Sequence, residues 1–137
     1  MEMLRAVNGL DDDYVIPEEM TEACRNYFLN GDHTTILAME HGQVVGCASI
    51  SYFTIMPTFE HPTGKRAELM NVYTNPEHRR QGIGKHMVMM LIRDACENEA
   101  TEISLDTTES GRKLYLKLGF TNSGECMVMN LRDLSDD

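Results

Sequence analysis

The residues best suited to chemistry form a basic, glycine-punctuated run, Arg79-Arg80-Gln81-Gly82-Ile83-Gly84. A strand-like segment, 67–74, precedes this run and ends at Asn75-Pro76, and an apolar-striped segment follows from Ile83 to about Cys96. The pattern predicts a turn that joins a strand to the N-terminus of a helix. The first N–H groups of a helix have no partner inside it, and the helix dipole places partial positive charge there. With glycines that let a ligand approach the backbone, the run predicts a phosphate or pyrophosphate site.

Two common nucleotide-binding motifs do not fit this run. The nearest imitation of a Walker loop, Pro62-Thr63-Gly64-Lys65-Arg66, lacks the first glycine and the hydroxyl residue. A dinucleotide fingerprint needs three spaced glycines within a βαβ unit, whereas Gly82 and Gly84 follow segments that indicate antiparallel hairpins. A P-loop nucleotide hydrolase therefore remains an alternative that rests on the imperfect loop alone.

Two blocks of the sequence resemble one family. Residues 71–85 are similar to the pyrophosphate loop, Arg/Gln-x-x-Gly-x-Gly/Ala, of the GCN5-related N-acetyltransferases (GNAT superfamily), which bind acetyl-coenzyme A. Residues 111–120, which end in Leu114-Tyr115-Leu116-Lys117-Leu118-Gly119-Phe120, resemble a late helix of the same family. The resemblance covers roughly residues 34–131. It implies an α+β fold with a mixed, mostly antiparallel sheet that carries helices on both faces.

The resemblance also implies how the coenzyme is held. The backbone N–H groups of residues 80–85 would bind the pyrophosphate, and a bulge near Asn71 would splay its strand from residues 102–106 to open a slot for pantetheine. A basic surface turn is the alternative interpretation of the loop, and an exposed helix charge is the alternative for Arg112. The residues predicted to bind acetyl-coenzyme A are Val72, Tyr73, Thr74, Arg79, Arg80, Gln81, Gly82, Ile83, Gly84, Lys85 and Arg112.

Glu68 and Tyr115 are the predicted catalytic residues. Glu68 lies eleven residues before Arg79, the offset at which the histone-acetylating relatives carry their catalytic base. An amine of pKa about 10 must lose a proton before it attacks, and a carboxylate can take that proton directly or through water. In the family, the tyrosine at the position of Tyr115 protonates the departing thiolate. Glu68 as a solvated strand residue and Tyr115 as a core tyrosine with a bonded hydroxyl remain the alternatives.

Composition narrows the class of protein further. The chain of 137 residues predicts a single domain, 1–137, with an atypical N-terminus over 1–16. A net charge of −10 argues against nucleic acid and suits a cationic acceptor. No apolar run approaches the length of about 20 residues that a membrane span requires. The four dispersed cysteines predict reduced thiols in the cytoplasm, and the spacing of the histidines predicts that no metal is bound.

The order of the elements is predicted from periodicity. Helices are expected at 18–30, 83–96 and 109–118, and strands at 35–40, 44–55, 67–74, 102–106 and 125–131. Family members begin with one more strand, so the first strand is expected to be missing or rudimentary here. An exposed sheet edge would follow, and a homodimer that covers it is a hypothesis.

The predicted activity is acetyl transfer to a primary amine by direct attack in a ternary complex, without an acyl-enzyme. The acceptor is a small-molecule or peptide amine. The alternative is a module of the same fold that binds coenzyme A with little or no turnover. His61, in the loop 56–64, is expected to be a solvated histidine, with contact to an acceptor as the alternative.

Overall fold

The computed structural model describes residues 2–134 and divides the chain after Asp106 into two compact units, which are described separately. In the first unit, a sheet of four strands has the order β1-β2-β3-β4. The first three strands are antiparallel neighbours, and β4 pairs with β3 in parallel. The elements of this unit are α1 (Glu2–Val7), α2 (Glu18–Asn30), β1 (His33–Glu40), β2 (Gln43–Thr54), β3 (Lys65–Thr74), α3 (Ile83–Glu97) and β4 (Ile103–Ser104).

The core of the first unit lies between the sheet and α3. Alternation along β2 turns Ala48, Ile50 and Tyr52 toward this side, where all three are buried. The stripe of α3 that meets them contains Val88 and Leu91, which are both completely buried. Removal of this apolar surface from water stabilises the pairing of helix and sheet.

A polar network joins α3 to the same face of the sheet. The hydroxyl of Tyr52 donates to Oδ2 of Asp94 at 2.5 Å, and the hydroxyl of Thr34 donates to the same oxygen at 2.8 Å. Burial and the neighbouring Asp94 carboxylate both raise the pKa of Tyr52. The phenol is therefore a hydrogen-bond donor at neutral pH, and the network connects α3 to β1 and β2.

The opposite face of the sheet is more polar and meets α2. Ser51 of β2 lies 2.5 Å from the hydroxyl of Tyr27 on α2. Ser49 lies 2.9 Å from the hydroxyl of Thr35 on the neighbouring strand. Helices thus contact both faces, and the mixed, mostly antiparallel sheet that the sequence predicts is confirmed for this unit.

The N-terminal segment lacks a strand, as the sequence predicts. Within residues 2–17 there is instead the short helix α1, which the sequence did not predict and which approaches β3. The strand β4 comprises Ile103–Ser104, whereas the sequence predicted 102–106. Its brevity limits the pairing with β3 to two positions, Ala67 with Ile103 and Glu68 with Ser104.

The second unit, from residue 107 onward, contains α4 (Glu109–Lys117) and a short 3-10 helix at Leu131–Asp133. The sequence predicted a strand at 125–131, and this prediction is wrong for the described structure. Apolar and polar residues alternate there, but Met127 and Val128 are 94% and 92% exposed. Alternation gives a strand only where a neighbouring strand satisfies its backbone groups, and residues 107–134 contain none.

Candidate active site

The turn between β3 and α3 leaves a group of backbone donors free. The first intrahelical bond of α3 runs from the N–H of His86 to the carbonyl of Gly82. No side chain caps this helix end, and no hydrogen bond within residues 2–134 uses the N–H groups of Ile83, Gly84 or Lys85. The first turn also lacks acidic residues. These donors and the helix dipole together can bind an anion.

Two left-handed residues shape the turn. Gly82 has a φ of 78°, and Arg80 has a φ of 65°. A Cβ atom at Gly82 would contact nothing within 4 Å, so the glycine is needed for its backbone conformation and not for space. A Cβ atom at Gly84 would lie at an ordinary contact distance, 3.5 Å, from Oγ1 of Thr74. The end of β3 therefore lies directly beside the first turn of α3.

Arg79 is held in place by the end of β3. Its Nε donates to the carbonyl of Thr74 at 3.0 Å, and its guanidinium carbon lies 5.7 Å from the centre of the Tyr73 ring. The adjoining Asn75 accepts from the N–H of Glu77 at 3.0 Å and thereby starts the short 3-10 helix that leads into the turn. The positive charge of Arg79 is consequently held at the end of β3, and this strand end lies beside the first turn of α3.

His78 connects the turn to β1 through a contact between its Nε2 and a carboxylate oxygen of Glu40. A pocket of about 660 Å³ lies beside this pair, between β1 and the first half of α3. The turn residues Gln81 and Gly82 form part of its lining. Two surfaces therefore adjoin the turn: this pocket and the end of β3.

A β-bulge interrupts β3 where the resemblance implied one. Cys47 pairs with Tyr73 and Ser49 pairs with Met70, so that β3 carries one more residue than β2 between these two pairs. Asn71, the residue that follows Met70, has a φ of 54°. The bulge reverses the alternation, and Tyr73 instead of Val72 falls on the face that carries Met70.

Past the position of Glu68, β3 has no partner strand on its β4 side within residues 2–106. In this unit, residues Leu69–Thr74 therefore have no neighbouring strand to pair with on that side. Backbone groups at such an edge can pair with an extended ligand. The strand β3 thus carries both the bulge and the unpaired edge. The turn that can bind an anion follows it in the chain.

Glu68 lies on the α2 face of the sheet, half-buried. It is the Cα partner of Ser51 on one side and of Ser104 on the other. It makes no ion pair or side-chain hydrogen bond with another residue of the described part of the chain. Its carboxylate is therefore available to a bound molecule.

Comparison with known proteins decides the family. The sequence model of the Acetyltransferase (GNAT) family matches residues 2–120 of this chain. The chain belongs to the GNAT acetyltransferase family.

One solved structure and two curated relatives illustrate the similarity to GNAT proteins. A predicted acetyltransferase from Clostridium acetobutylicum, crystallised with acetyl-CoA, has a TM-score of 0.83 and 28% identity, over 96% of this chain and 87% of the other. Human N-acetyltransferase 8 is 28% identical over 118 residues, which are 82% of this chain and 49% of the relative. Glucosamine 6-phosphate N-acetyltransferase of Trypanosoma brucei brucei is 30% identical over 66% of this chain and 59% of its own length. The chain spans about half the length of the N-acetyltransferase 8 relatives that it matches.

The remaining predicted GNAT residues, Tyr115 and Arg112, lie in the second unit. Burial raises the pKa of Tyr115, whose ring packs edge-on against Phe120 at 5.7 Å. Arg112 donates to Oδ1 of Asn122 at 2.8 Å and lies 3.4 Å from a carboxylate oxygen of Glu109. Tyr115 is thus a protonated phenol at neutral pH, whereas Arg112 already has two partners of its own.

His61 has a structural position that the sequence did not suggest. Its Nδ1 lies 2.8 Å from the hydroxyl of Thr101, and its Nε2 lies 3.4 Å from a carboxylate oxygen of Glu102. The prediction of a solvated histidine is therefore wrong, and contact with an acceptor stays a prediction. The residue ties the loop between β2 and β3 to the start of β4.

Three polar residues near Glu68 were missed by the sequence reasoning: Tyr27, Ser51 and Ser104. The small polar residues Ser49 and Ser51 alternate with buried apolar residues along β2. That alternation was a readable signal for one polar face. The register that places Ser51 and Ser104 beside Glu68 depends on how three strands pair, and no single segment of the sequence shows it.

No helix within residues 2–134 has both the length and the apolar character needed to cross a bilayer.

Proposed function

We propose that this chain is an acetyl-CoA-dependent N-acetyltransferase that acts on a primary amine, and that its two units together make one catalytic domain. The observation that carries the proposal is the set of free N–H groups at Ile83–Lys85, beside the fixed charge of Arg79. The family model spans residues on both sides of Asp106, which supports the single domain.

The proposed coenzyme site extends along β3 and the turn between β3 and α3. The pyrophosphate binds the N–H groups of the turn, with Arg79 and Arg80 as countercharges, and the pantetheine pairs with the backbone of Val72 and Thr74. An N–H group at the bulge faces the thioester oxygen and stabilises the charge that develops on it. Arg112 would have to leave Glu109 and Asn122 to reach a phosphate, so its proposed contribution is smaller.

The proposed reaction is direct attack in a ternary complex. Glu68 takes a proton from the acceptor ammonium, and the free amine forms a bond to the thioester carbon. The carbon–sulfur bond then breaks, and Tyr115 gives its proton to the departing thiolate. The nitrogen loses its second proton as the amide forms, and a proton returned through solvent restores the phenol of Tyr115. Cys47 is an unsuitable nucleophile because it is buried and burial raises its pKa, which favours direct transfer over an acyl-enzyme.

The proposed acceptor is a small-molecule or peptide amine that is cationic before it reacts. The net charge of −10 would draw such a molecule toward the protein. Glucosamine 6-phosphate enters as a first probe because a relative carries that substrate in its name. Other probes are neamine, spermidine, 2-phenylethylamine and a lysine-containing peptide.

Two measurements test the proposal. Calorimetry should show binding of acetyl-CoA and none of ATP, and a thiol-release assay with the amine panel should show turnover that falls at least tenfold in Glu68→Gln. Binding of acetyl-CoA without turnover on any amine would favour the coenzyme-binding module instead. Binding of ATP without binding of acetyl-CoA would contradict both the acetyltransferase and the coenzyme-binding module, and it would favour the P-loop alternative.

We also propose a homodimer through β1, which is an edge strand of the sheet in residues 2–106. Leu37 and Met39 are 53% and 56% exposed on this strand. An uncovered edge with apolar side chains favours pairing with a second copy. Light scattering should give the mass of a dimer for the unmodified chain and of a monomer for Leu37→Lys, and a monomer for both at high concentration would contradict the pairing.

A cytoplasmic location is proposed from the cysteines. Cys24, Cys47, Cys96 and Cys126 are free in the described structure. Free thiols persist in reducing compartments. Fractionation of cells that make the full chain, followed by immunodetection, would place it, and recovery in a membrane or secreted fraction would contradict the proposal.

A further inference from the structure

The peptide between Asn71 and Val72 lies at the centre of the bulge in β3. These two residues together lie opposite the single residue Ala48 of β2. A bulge interrupts the ladder of a strand pair and leaves one residue unpaired. Strand pairing alone therefore does not fix the direction of this peptide, and some other contact must do so.

The side chain of Cys47 on β2 supplies a contact to this peptide. Its thiol donates a hydrogen bond to the carbonyl oxygen of Asn71, with Sγ at 3.2 Å from that oxygen. Cys47 is buried, and burial raises the pKa of its thiol. The thiol therefore keeps its proton at neutral pH and remains a hydrogen-bond donor.

The part of β2 that carries Cys47 is fixed closely against β3. A Cβ atom at the preceding residue, Gly46, would lie only 2.9 Å from the carbonyl oxygen of Tyr73, so the close approach of the two backbones requires glycine there. Beyond the bulge, the N–H of Asn75 donates to the carbonyl of Val45 at 2.7 Å. The position of the thiol is consequently set by backbone contacts of the two strands.

A hydrogen bond to one end of a peptide unit also orients its other end. The peptide unit is planar and trans, so its carbonyl and its N–H point in opposite directions, and residues 2–134 contain no cis peptide. With the carbonyl of Asn71 turned toward Cys47, the N–H of Val72 points away from the thiol. The restraint on the carbonyl is therefore a restraint on this N–H.

We propose that Cys47 is a positioning residue for acetyl transfer: its thiol sets the direction of the bulge peptide, and the N–H of Val72 is the donor that stabilises the thioester oxygen. A donor is most effective when it is aimed in advance at the atom on which charge develops. No atom of Cys47 forms or breaks a bond in the transfer. The inference rests on the proposed function and adds to it a side chain that acts through a backbone group.

Three substitutions separate the donor of Cys47 from the volume of its side chain. Cys47→Ala and Cys47→Val both lack a donor, and one is smaller and the other larger than cysteine, whereas Cys47→Ser keeps a donor. With an amine that is turned over, kcat should fall about tenfold in the alanine and valine variants, less than the 10²–10³ that removal of an oxyanion donor costs, because the N–H is misdirected and not lost. The serine variant should keep kcat within about threefold, and all three should keep the Kd for acetyl-CoA within about threefold.

Infrared spectroscopy of the bound thioester measures the positioning directly. Acetyl-CoA with a ¹³C-labelled carbonyl is bound to the full chain without an acceptor, and the carbonyl stretch is isolated by the difference from unlabelled acetyl-CoA. A hydrogen bond to the carbonyl oxygen lowers this frequency. The frequency should be lowered in the unmodified protein and in Cys47→Ser, and most of the shift should be lost in Cys47→Ala and Cys47→Val.

Ser49→Ala is the matched control. It removes a hydroxyl from the same strand and the same face as Cys47, but this hydroxyl lies 2.9 Å from that of Thr35 on β1 and not beside the bulge peptide. The variant should keep kcat within about twofold and leave the carbonyl frequency unchanged. Thermal unfolding verifies that each variant is folded, and the comparison of alanine with serine at position 47 is sufficient if the larger valine prevents folding.

The outcomes distinguish the positioning role from the proposed function. A carbonyl frequency that is the same in the unmodified protein and in Cys47→Ala, or a loss of the shift in Cys47→Ser as well, would overturn the positioning role, and turnover by the unmodified protein would still support the acetyltransferase. A shift that depends on the donor at position 47, without turnover of any amine, would support the positioning role and contradict the enzyme. Failure of the unmodified chain to bind acetyl-CoA would overturn both.

Discussion

Asn71, with a φ of 54°, belongs to the bulge that gives β3 one extra residue opposite Ala48 of β2. A left-handed backbone costs about 1–2 kcal/mol at an ordinary residue, and asparagine tolerates it better than most. The bulge interrupts the regular alternation of β3 two residues before the strand ends at Thr74. The conformation of one residue thus decides which backbone groups of β3 face its unpaired edge.

Replacement of Asn71 tests this relationship. Asn71→Val should lower the free energy of unfolding by about 1–3 kcal/mol and raise the Kd for acetyl-CoA at least tenfold, because a β-branched residue is strongly disfavoured at positive φ. Asn71→Gly is the matched control, and it should keep the Kd within about twofold because glycine adopts this conformation freely. Denaturant unfolding and calorimetry measure the two quantities. Equal effects in both variants would mean that the asparagine side chain, not the bulge, is important.

Gly82 and Gly84 are expected to respond differently to alanine. Gly82→Ala should destabilise the protein by about 1 kcal/mol and weaken acetyl-CoA binding, because alanine resists the φ of 78° although space for its methyl group exists. Gly84→Ala should leave both quantities nearly unchanged, since its Cβ would reach only an ordinary contact of 3.5 Å with Thr74. Unfolding and binding measurements on the pair decide the matter. A larger loss of affinity in Gly84→Ala would place the coenzyme closer to that residue than we propose.

Tyr115→Phe tests the proposed acid. It should lower kcat at least tenfold and leave the Kd for acetyl-CoA within about twofold, because the loss is confined to proton donation. Burial raises the pKa of Tyr115, so the unmodified enzyme should lose the acid form only above the ordinary tyrosine value of about 10. Its kcat should therefore fall at high alkaline pH, and this limb should be absent in the variant. A large loss of coenzyme affinity in Tyr115→Phe would assign the residue to binding instead.

The contact between Tyr52 and Asp94 predicts a dependence of stability on pH. The folded state raises the pKa of Tyr52 above its unfolded value, so this contribution is fully present below the unfolded pKa of about 10 and is lost as the pH rises beyond it. Tyr52→Phe should lower the free energy of unfolding by about 1–2 kcal/mol at pH 7, because Asp94 keeps only its bonds to Thr34 and Asn98.

The control for this prediction is Tyr14→Phe. Tyr14 is 48% exposed, and its backbone carbonyl, not its hydroxyl, accepts from Arg5. This variant should keep the stability within about 0.5 kcal/mol and keep the alkaline decline. Denaturant unfolding between pH 7 and pH 10.5 measures both variants. An unchanged alkaline slope in Tyr52→Phe would contradict the role of Tyr52.

The sequence predicted the elements that have strong local signals. The helix α3 follows from its apolar period and from Gly82 just before its first turn, and the free N–H groups of the turn follow from that position. The helix α2 ends at Gly31, as its sequence indicated. These features depend on neighbouring residues, which a single sequence displays directly.

The sequence failed where the structure depends on distant partners. The alternating segment 125–131 has the pattern of a strand, but an alternating segment becomes a strand only beside another one. The row of Ser51, Glu68 and Ser104 depends on the register of three strands, and two of these are separated from each other by α3. The bulge at Asn71 was anticipated from the resemblance to the family, not from the residues themselves.

The side chain of Arg79 is already held by a hydrogen bond in the protein without a ligand. A long, flexible side chain that is immobilised on binding costs about 0.5–1.5 kcal/mol, but the guanidinium of Arg79 already rests on the carbonyl of Thr74. The entropy cost of ordering this side chain is therefore part of the free energy of folding and not of ligand binding. Substitutions that loosen the last residues of β3 will consequently reduce ligand affinity even where they touch no atom of the ligand.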